Sequence, residues 1–240
     1  METDILYKCH ACDSLHSPRL NQSVISHYMD ECPSIGDKLE GLNYWLYPVQ
    51  FIETVNHLPL LNHFHDEKFS VQMKALATIA HEGQKRDGGN PYIVHPGRIA
   101  GRVRNHRIAS EVTEAVAWGH DCIEDTVLNY AFIERHFPGT NIAFHIQELT
   151  NVSKYKIPKE NRKTRKEFDR NRIAKASVEA KVIKMFDRID NVSDMAGKEE
   201  GFAQLYCDES VLLAKVLRSA DRELNDELLE AIEQCRKAHT

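Results

Sequence analysis

The chain has 240 residues, 42% of them hydrophobic, and a formal net charge of −5, the make-up of a soluble globular protein with room for one sizeable core. That charge argues against a general nucleic-acid binder, no apolar run is long enough to span a bilayer, and Met1-Glu2-Thr3-Asp4 opens no signal peptide. A cytoplasmic protein is therefore expected, in which six cysteines are not a disulfide framework and thirteen histidines stand out as potential ligands.

Residues 1–36 form an irregular extension in which Cys9-x-x-Cys12 is followed by His16, His27 and Cys32. Cys9, Cys12, His27 and Cys32 could close a tetrahedral Zn²⁺ site that orders a segment too small for its own core. The alternative is a polar arm with incidental thiols. Residues 37–65 are apolar and aromatic (Leu42, Tyr44, Trp45, Tyr47, Phe51), and Pro48 and Pro59 are expected to break them into short helical pieces. This collar either packs on the main domain or offers a homo-oligomer contact.

The third division, 66–240, reads as helical throughout. Asp66 is the expected N-cap of a helix whose apolar stripe is Phe69, Met73, Leu76, Ala77 and Ala80, ending in the turn cluster Asp87-Gly88-Gly89-Asn90-Pro91. Pro96 suits the first turn of a second helix, and Ser110 caps a third. Short helices are expected near 129–137 and 141–150, then a block from Lys154 to Lys175 with ten basic residues against three acids. A helix from Ser177 has Val178, Val182, Met185, Phe186 and Ile189 on its core face, and residues 201–238 give two more amphipathic helices. The predicted fold class is all-α.

One stretch concentrates chemistry: His120-Asp121-Cys122-Ile123-Glu124-Asp125, at the foot of an apolar helix. Carboxylates brought together in low dielectric need a cation or protons. With His81 on an earlier helix and Asp187 on a later one, His120 and Asp121 complete a plausible donor set for Mn²⁺, Fe²⁺ or Zn²⁺. Such an ion lowers the pKa of a bound water, and Glu124 and Asp125, one turn further on, are placed to accept or return its proton. Taken singly, each residue reads as a satisfied structural group before a catalytic one.

Four segments in order, His81-Glu-Gly-Gln-Lys-Arg86, Gly89-Asn-Pro-Tyr-Ile-Val-His-Pro96, His120-Asp-Cys-Ile-Glu-Asp-Thr126 and Lys184-Met-Phe-Asp-Arg-Ile-Asp-Asn191, resemble the RelA/SpoT-type HD-domain hydrolases, including the stand-alone alarmone hydrolases. The resemblance spans about residues 67–196 and implies an HD-domain helical bundle that removes the 3′-pyrophosphate of (p)ppGpp with Mn²⁺, to which Fe²⁺, Zn²⁺ and Co²⁺ are the alternatives. Carried over, the metal ligands fall on His81, His120, Asp121 and Asp187, and the catalytic acids on Glu124 and Asp125. The sugar contact falls on Asn191. Arg86 and the Tyr92–Pro96 loop shape the site, with His95 locking that loop or touching a phosphate.

Two departures bear on the substrate. Family members often carry a basic residue about nine positions before the first histidine, where this chain reads Gln72-Met73-Lys74; Lys74 is the substrate-binding candidate there. Trp118-Gly119 replaces the usual aliphatic pair. The expected partner is thus a small phosphorylated nucleotide, with NADPH or a nucleoside triphosphate as alternatives to (p)ppGpp, and a non-catalytic regulatory module as a reading of another class. Too few residues follow Ala196 for a synthetase domain. The basic block reads equally as a phosphate-attracting rim or a solvated helix face.

Overall fold

A computed structural model describes residues 68–239 and, ahead of them, Tyr7–Lys8, Leu15–His16 and Tyr47–Pro48. The chain divides into two compact units, Met1–Glu67 and Lys68–Thr240. In the first, β1 (Tyr7–Lys8), β2 (Leu15–His16) and β3 (Tyr47–Pro48) form an antiparallel sheet in the order β2-β1-β3, Tyr7 lying opposite both His16 and Pro48. Pro48 therefore sits on an edge strand, where a missing N–H is tolerated. This strand corrects the helical piece expected around residue 48. The zinc candidates Cys9, Cys12, His27 and Cys32, and the rest of the collar, lie outside the described residues.

The second unit is a helical domain. Its elements are α1 (Phe69–Ala80), α2 (Val94–Arg104), α3 (Glu111–Gly119), α4 (Cys122–Asp125), α5 (Tyr130–His136), α6 (Ile142–Leu149), α7 (Ser153–Lys156), α8 (Arg162–Ile173) and α9 (Val178–Ser193). A 3₁₀ turn, Asp194–Gly197, leads to α10 (Glu200–Leu217) and α11 (Arg222–Lys237). Among the described residues, no helix is long and apolar enough to cross a membrane.

Two helices organise the packing. α3 lies against α1, α2 and α6, and α9 lies against α2, α6, α10 and α11. Residues 182–189 of α9 are buried without interruption, so this helix has no solvent stripe over two turns and threads the core. Val178 is the exception to the expected core face: 47% exposed, it stands at the first position beyond its Ser177 cap, before the helix enters the bundle. Ser110 caps α3 as predicted, accepting from the Thr113 N–H.

α1 departs from its expected ends. It begins at Phe69 with Lys68 in the cap position and no side-chain cap, and burial of Met73, Leu76 and Ala77 against α3 fixes it; Asp66, the expected cap, lies outside the described residues. It stops at Ala80, well ahead of the Gly88-Gly89 cluster; Gly83, at φ 78°, is in the left-handed region that ends helices. The following loop folds back on itself through a Lys85–Pro91 bridge and delivers Tyr92 and His95 to the interior.

Candidate metal centre

Where α2, α3 and α9 meet, their side chains bring His95, His120 and Asp187 together, with donor atoms all within 4.8 Å of one another. The helices explain the convergence. His95 continues the buried stripe of Ile99 and Val103 at i+4 and i+8, His120 closes the buried face of Ala115, Val116 and Ala117, and Asp187 lies on the fully enclosed part of α9.

Each imidazole is oriented from behind. His120 Nδ1 donates to the Ala117 carbonyl at 2.9 Å, and His95 Nδ1 lies 2.6 Å from Asp190 Oδ2, a carboxylate also gripped by Arg98 at 2.5 and 2.7 Å. Both Nε2 atoms consequently face the centre, where both are buried without a hydrogen-bond partner. Around them stand Asp187 Oδ1, 3.3 Å from His95 Nε2 and 3.8 Å from His120 Nε2, and Asp121 Oδ2, 3.6 and 3.0 Å from the same atoms. Backing groups that fix the tautomer and leave Nε2 free are the outer shell of metal-bound histidine.

The electrostatics agree. Burial opposes protonation of His120, yet Asp121 and Asp187 push its pKa up to about 10. His95 is raised too: burial works against it, but Asp187 and Asp190 outweigh burial. Asp187 is held well below the ordinary carboxylate range, burial being overcome by Lys184 and the two imidazoles. A field that draws protons onto buried imidazoles is one that a divalent cation would occupy in their place, with proton release. Two orphaned nitrogens and hard carboxylate oxygens form a donor set that fits such an ion.

The remaining candidates divide. Asp121 borders the group and accepts from Tyr92 Oη at 2.6 Å. His81 is outside it: at the C-terminal end of α1 it stacks on Tyr92 with centroids 4.6 Å apart, pairs through Nδ1 with Gln84 Oε1 at 2.8 Å, and turns Nε2 to Cys122 Sγ at 3.9 Å. Gln84 in turn donates to the Asp125 carbonyl at 2.8 Å, so His81 braces the α4 turn. His95 takes the place that the sequence reading gave to His81. The sequence reading gives His95 only as a loop lock or phosphate contact, and it names neither of its supports, Asp190 on α9 and Arg98 on α2. His81 lies on a stripe equivalent to that of His95, at i+4 and i+8 from the buried Ala77 and Met73, so periodicity alone does not separate the two histidines.

Glu124 and Asp125 both have raised pKa values. For Glu124 the cause is burial first, then Asp121, against Lys184 and the Asn151 N–H; for Asp125, burial and Asp121 against Lys154. Asn151 fixes the Glu124 carboxylate through its N–H at 2.8 Å and its amide at 3.0 Å. Arg86 Nη2 donates to Asn191 Oδ1 at 2.8 Å, and Asn191 Nδ2 donates to Asp187 Oδ1 at 2.5 Å, which joins these two candidates directly to the centre. A cavity of about 550 Å³ lined by Arg86, Arg98, Asp194 and Lys198 adjoins them, within the size range of small-ligand sites. A larger one of about 850 Å³, lined by Arg102, His106, Phe186 and Asp221, contains no residue of the centre.

Lys74 is placed elsewhere. Its ammonium lies over the Trp118 ring, 5.3 Å from the centroid, while Gln72 and Met73 are buried in α1. Residues 72–74 are helix packing and not a base pocket. Arg86 is nine positions before His95, so the basic residue thought to be missing is present once the first histidine is taken as His95.

The fold and the centre together define a helical domain with a buried site for a divalent cation between its helices. The chain belongs to the HD domain family, whose model matches residues 74–212. It is 30% identical over 122 residues to the guanosine-3′,5′-bis(diphosphate) 3′-pyrophosphohydrolase of Vibrio cholerae, covering 50% of this chain and 17% of that protein. It is 33% identical over 146 residues to the probable enzyme of that name from Mycoplasma pneumoniae, covering 54% and 19%. The chain thus spans less than a fifth of the length of these relatives. A solved structure described as a metazoan ortholog of SpoT that hydrolyzes ppGpp matches with a TM-score of 0.61 and 24% identity, over 69% of this chain and 94% of that one; this shows the shared HD fold.

Proposed function

We propose that the chain is a metal-dependent phosphohydrolase that converts ppGpp and water to GDP and pyrophosphate, with His95, His120, Asp121 and Asp187 holding the cation. The observation that carries the proposal is the pair of orphaned Nε2 atoms of His95 and His120 facing Asp187 and Asp121, beside two carboxyls of raised pKa. The relatives at 30–33% identity supply the substrate class.

A Mn²⁺ or similar ion supplies charge that polarises the 3′-diphosphate and acidifies water. The chain does the rest. Glu124, fixed by Asn151, takes a proton from the attacking water, its raised pKa bringing it nearer to neutrality where general bases are most effective. Water oxygen joins the phosphorus next to the ribose, the 3′-oxygen leaves, and Asp125 returns a proton to the departing groups. Asn191 holds the sugar. Arg86, which also lies 5.8 Å over the Tyr92 ring, presents its guanidinium to the nucleotide from the same side.

The test is product identification. Metal-loaded protein is incubated with ppGpp, NADPH and ribo- and deoxyribonucleoside triphosphates, and products are read by phosphorus NMR. GDP and pyrophosphate from ppGpp are expected. Turnover of NADPH or triphosphates with ppGpp untouched replaces the substrate, and no turnover with Mn²⁺, Fe²⁺, Zn²⁺ or Co²⁺ removes the activity.

A further inference from the structure

Four of the ten cations of the basic block have partners that hold them in place. Arg162 grips both oxygens of Glu209 at 2.7 and 2.9 Å, Arg165 donates to the Glu160 carbonyl at 3.0 Å, and Arg172 to the Thr150 carbonyl at 2.7 Å. Lys154 stands 3.7 Å from Asp125. Lys166 differs. It turns from α8 into a cleft shared with α6, α9 and α10, where Lys184 and Arg188 also line the wall, and it has no ion pair among the described residues.

Arg188 lies over the Tyr206 ring, 4.6 Å from its centroid, and has no carboxylate partner among the described residues. It is only 8% exposed, its Nε is buried with no hydrogen-bond partner, and Nη1 makes a long contact of 3.3 Å to Ser210 Oγ. Carboxylates in the wall are engaged elsewhere. Glu209 serves Arg162, Asp169 accepts from Ser153 N–H and Oγ at 3.1 and 2.5 Å, and Glu148 accepts from Ser177 N–H and Oγ at 2.8 and 2.6 Å. Five cations (Lys166, Arg170, Arg172, Lys184 and Arg188) face three such carboxylates. Burial, and then Arg188 beside it, lower the pKa of Lys166, and Glu209, already gripped by Arg162, only partly offsets them. Like charges gathered in a desolvated cleft destabilise the fold unless something neutralises them.

We propose that this cleft is an oxyanion site of the phosphate class, in which Lys166 and Arg188 Nε close on one phosphate oxygen. Lys184, whose Nζ is 2.7 Å from Asp187 Oδ2, adds charge and links the site to the metal centre. The cleft encloses about 30 Å³, room for one oxygen reaching in and none for a nucleoside. Its occupant is inorganic phosphate or a terminal phosphate of pyrophosphate. The proposal does not rest on ppGpp hydrolysis, since free phosphate offers the same oxygens.

The test uses the full chain, stripped of metal with chelator, so that the centre contributes no phosphate binding of its own. Melting temperature and calorimetric binding are measured with inorganic phosphate, pyrophosphate, and sodium chloride at matched ionic strength. Phosphate and pyrophosphate should raise the melting temperature where chloride does not, and tighter binding of pyrophosphate assigns the site to a diphosphate, equal binding to free phosphate. Lys166→Met, which keeps the apolar stem, should melt higher than wild type in phosphate-free buffer and bind either anion about tenfold more weakly. Lys166→Gln repeats the comparison if the methionine variant folds poorly, and His120→Ala should keep the response. An equal rise with chloride, an unchanged response in both Lys166 variants, or a response lost only in His120→Ala overturns the site.

Discussion

His95 and His120 meet edge to face with ring centroids 5.1 Å apart, each tied through Nδ1 to an acceptor behind it and each presenting a bare Nε2 to Asp187. The pairing places two neutral-ligand nitrogens from different helices on one point without a rearrangement of either backbone. It also explains why Asp190 and Arg98 belong to the account: Asp190 holds the His95 ring in the orientation that a cation needs, and Arg98 holds Asp190.

Glu124 is assigned the proton transfer, and its replacement should separate chemistry from binding. Glu124→Gln keeps the Asn151 contacts through its amide oxygen but cannot accept the proton. A fall in kcat of about 10²- to 10⁴-fold with KM nearly unchanged is expected. Steady-state pyrophosphate release measures it, and a variant with wild-type kcat would remove Glu124 from the reaction.

Gly119 lies against the core beneath His120. A Cβ there would meet Ile146 Cδ1 and Met73 Sδ at 2.8 Å, and both side chains are fully buried. Gly119→Ala gains about 0.5–1 kcal/mol of helix propensity, but overpacking costs about 1–3 kcal/mol, so the clash wins. A lower denaturant midpoint is expected; a higher one would show that the core yields freely at this point.

Acid stability should carry the mark of Asp221. Burial raises its pKa, but the Leu224 N–H, Arg107 and His106 outweigh burial and hold it below its ordinary value of 3.8. A carboxylate depressed in the folded state contributes stability that is present above its unfolded value and is lost as pH falls through the folded one. Asn at the same position keeps the cap and removes the charge. Wild type should therefore exceed Asp221→Asn in stability at neutral pH and lose that margin as pH falls below 3.8. Denaturant titrations of both proteins across that range provide the comparison, and a margin that persists in strong acid would contradict it.

Much of this was legible in the sequence, and the misses share a cause. Helix order, the Ser110 cap, a helix start at Ser177, and His120, Asp121 and Asp187 as neighbours follow from periodicity and local chemistry. The choice between His81 and His95 does not, because it depends on where α1 ends. Gly83 in the left-handed region stops that helix and the Lys85–Pro91 bridge turns the chain back, so His81 is spent on bracing while His95 enters the core. The same misplacement made residues 72–74 look like a base pocket, although Met73 is buried against Gly119. Lys166 could not be set apart from the other nine basic residues of its block, because only tertiary packing tells which of them turns inward.

The central claim is that His95, not His81, completes the metal centre. Metal content and pyrophosphate release from ppGpp, measured together on His95→Ala and His81→Ala, test it most directly. His95→Ala should purify with little bound metal, weakened in metal affinity by at least the roughly 10- to 100-fold cost of losing outer-shell support alone, and should release no measurable pyrophosphate. His81→Ala should keep its metal and release pyrophosphate. A metal-free, inactive His81→Ala beside a metal-loaded, active His95→Ala would contradict the account.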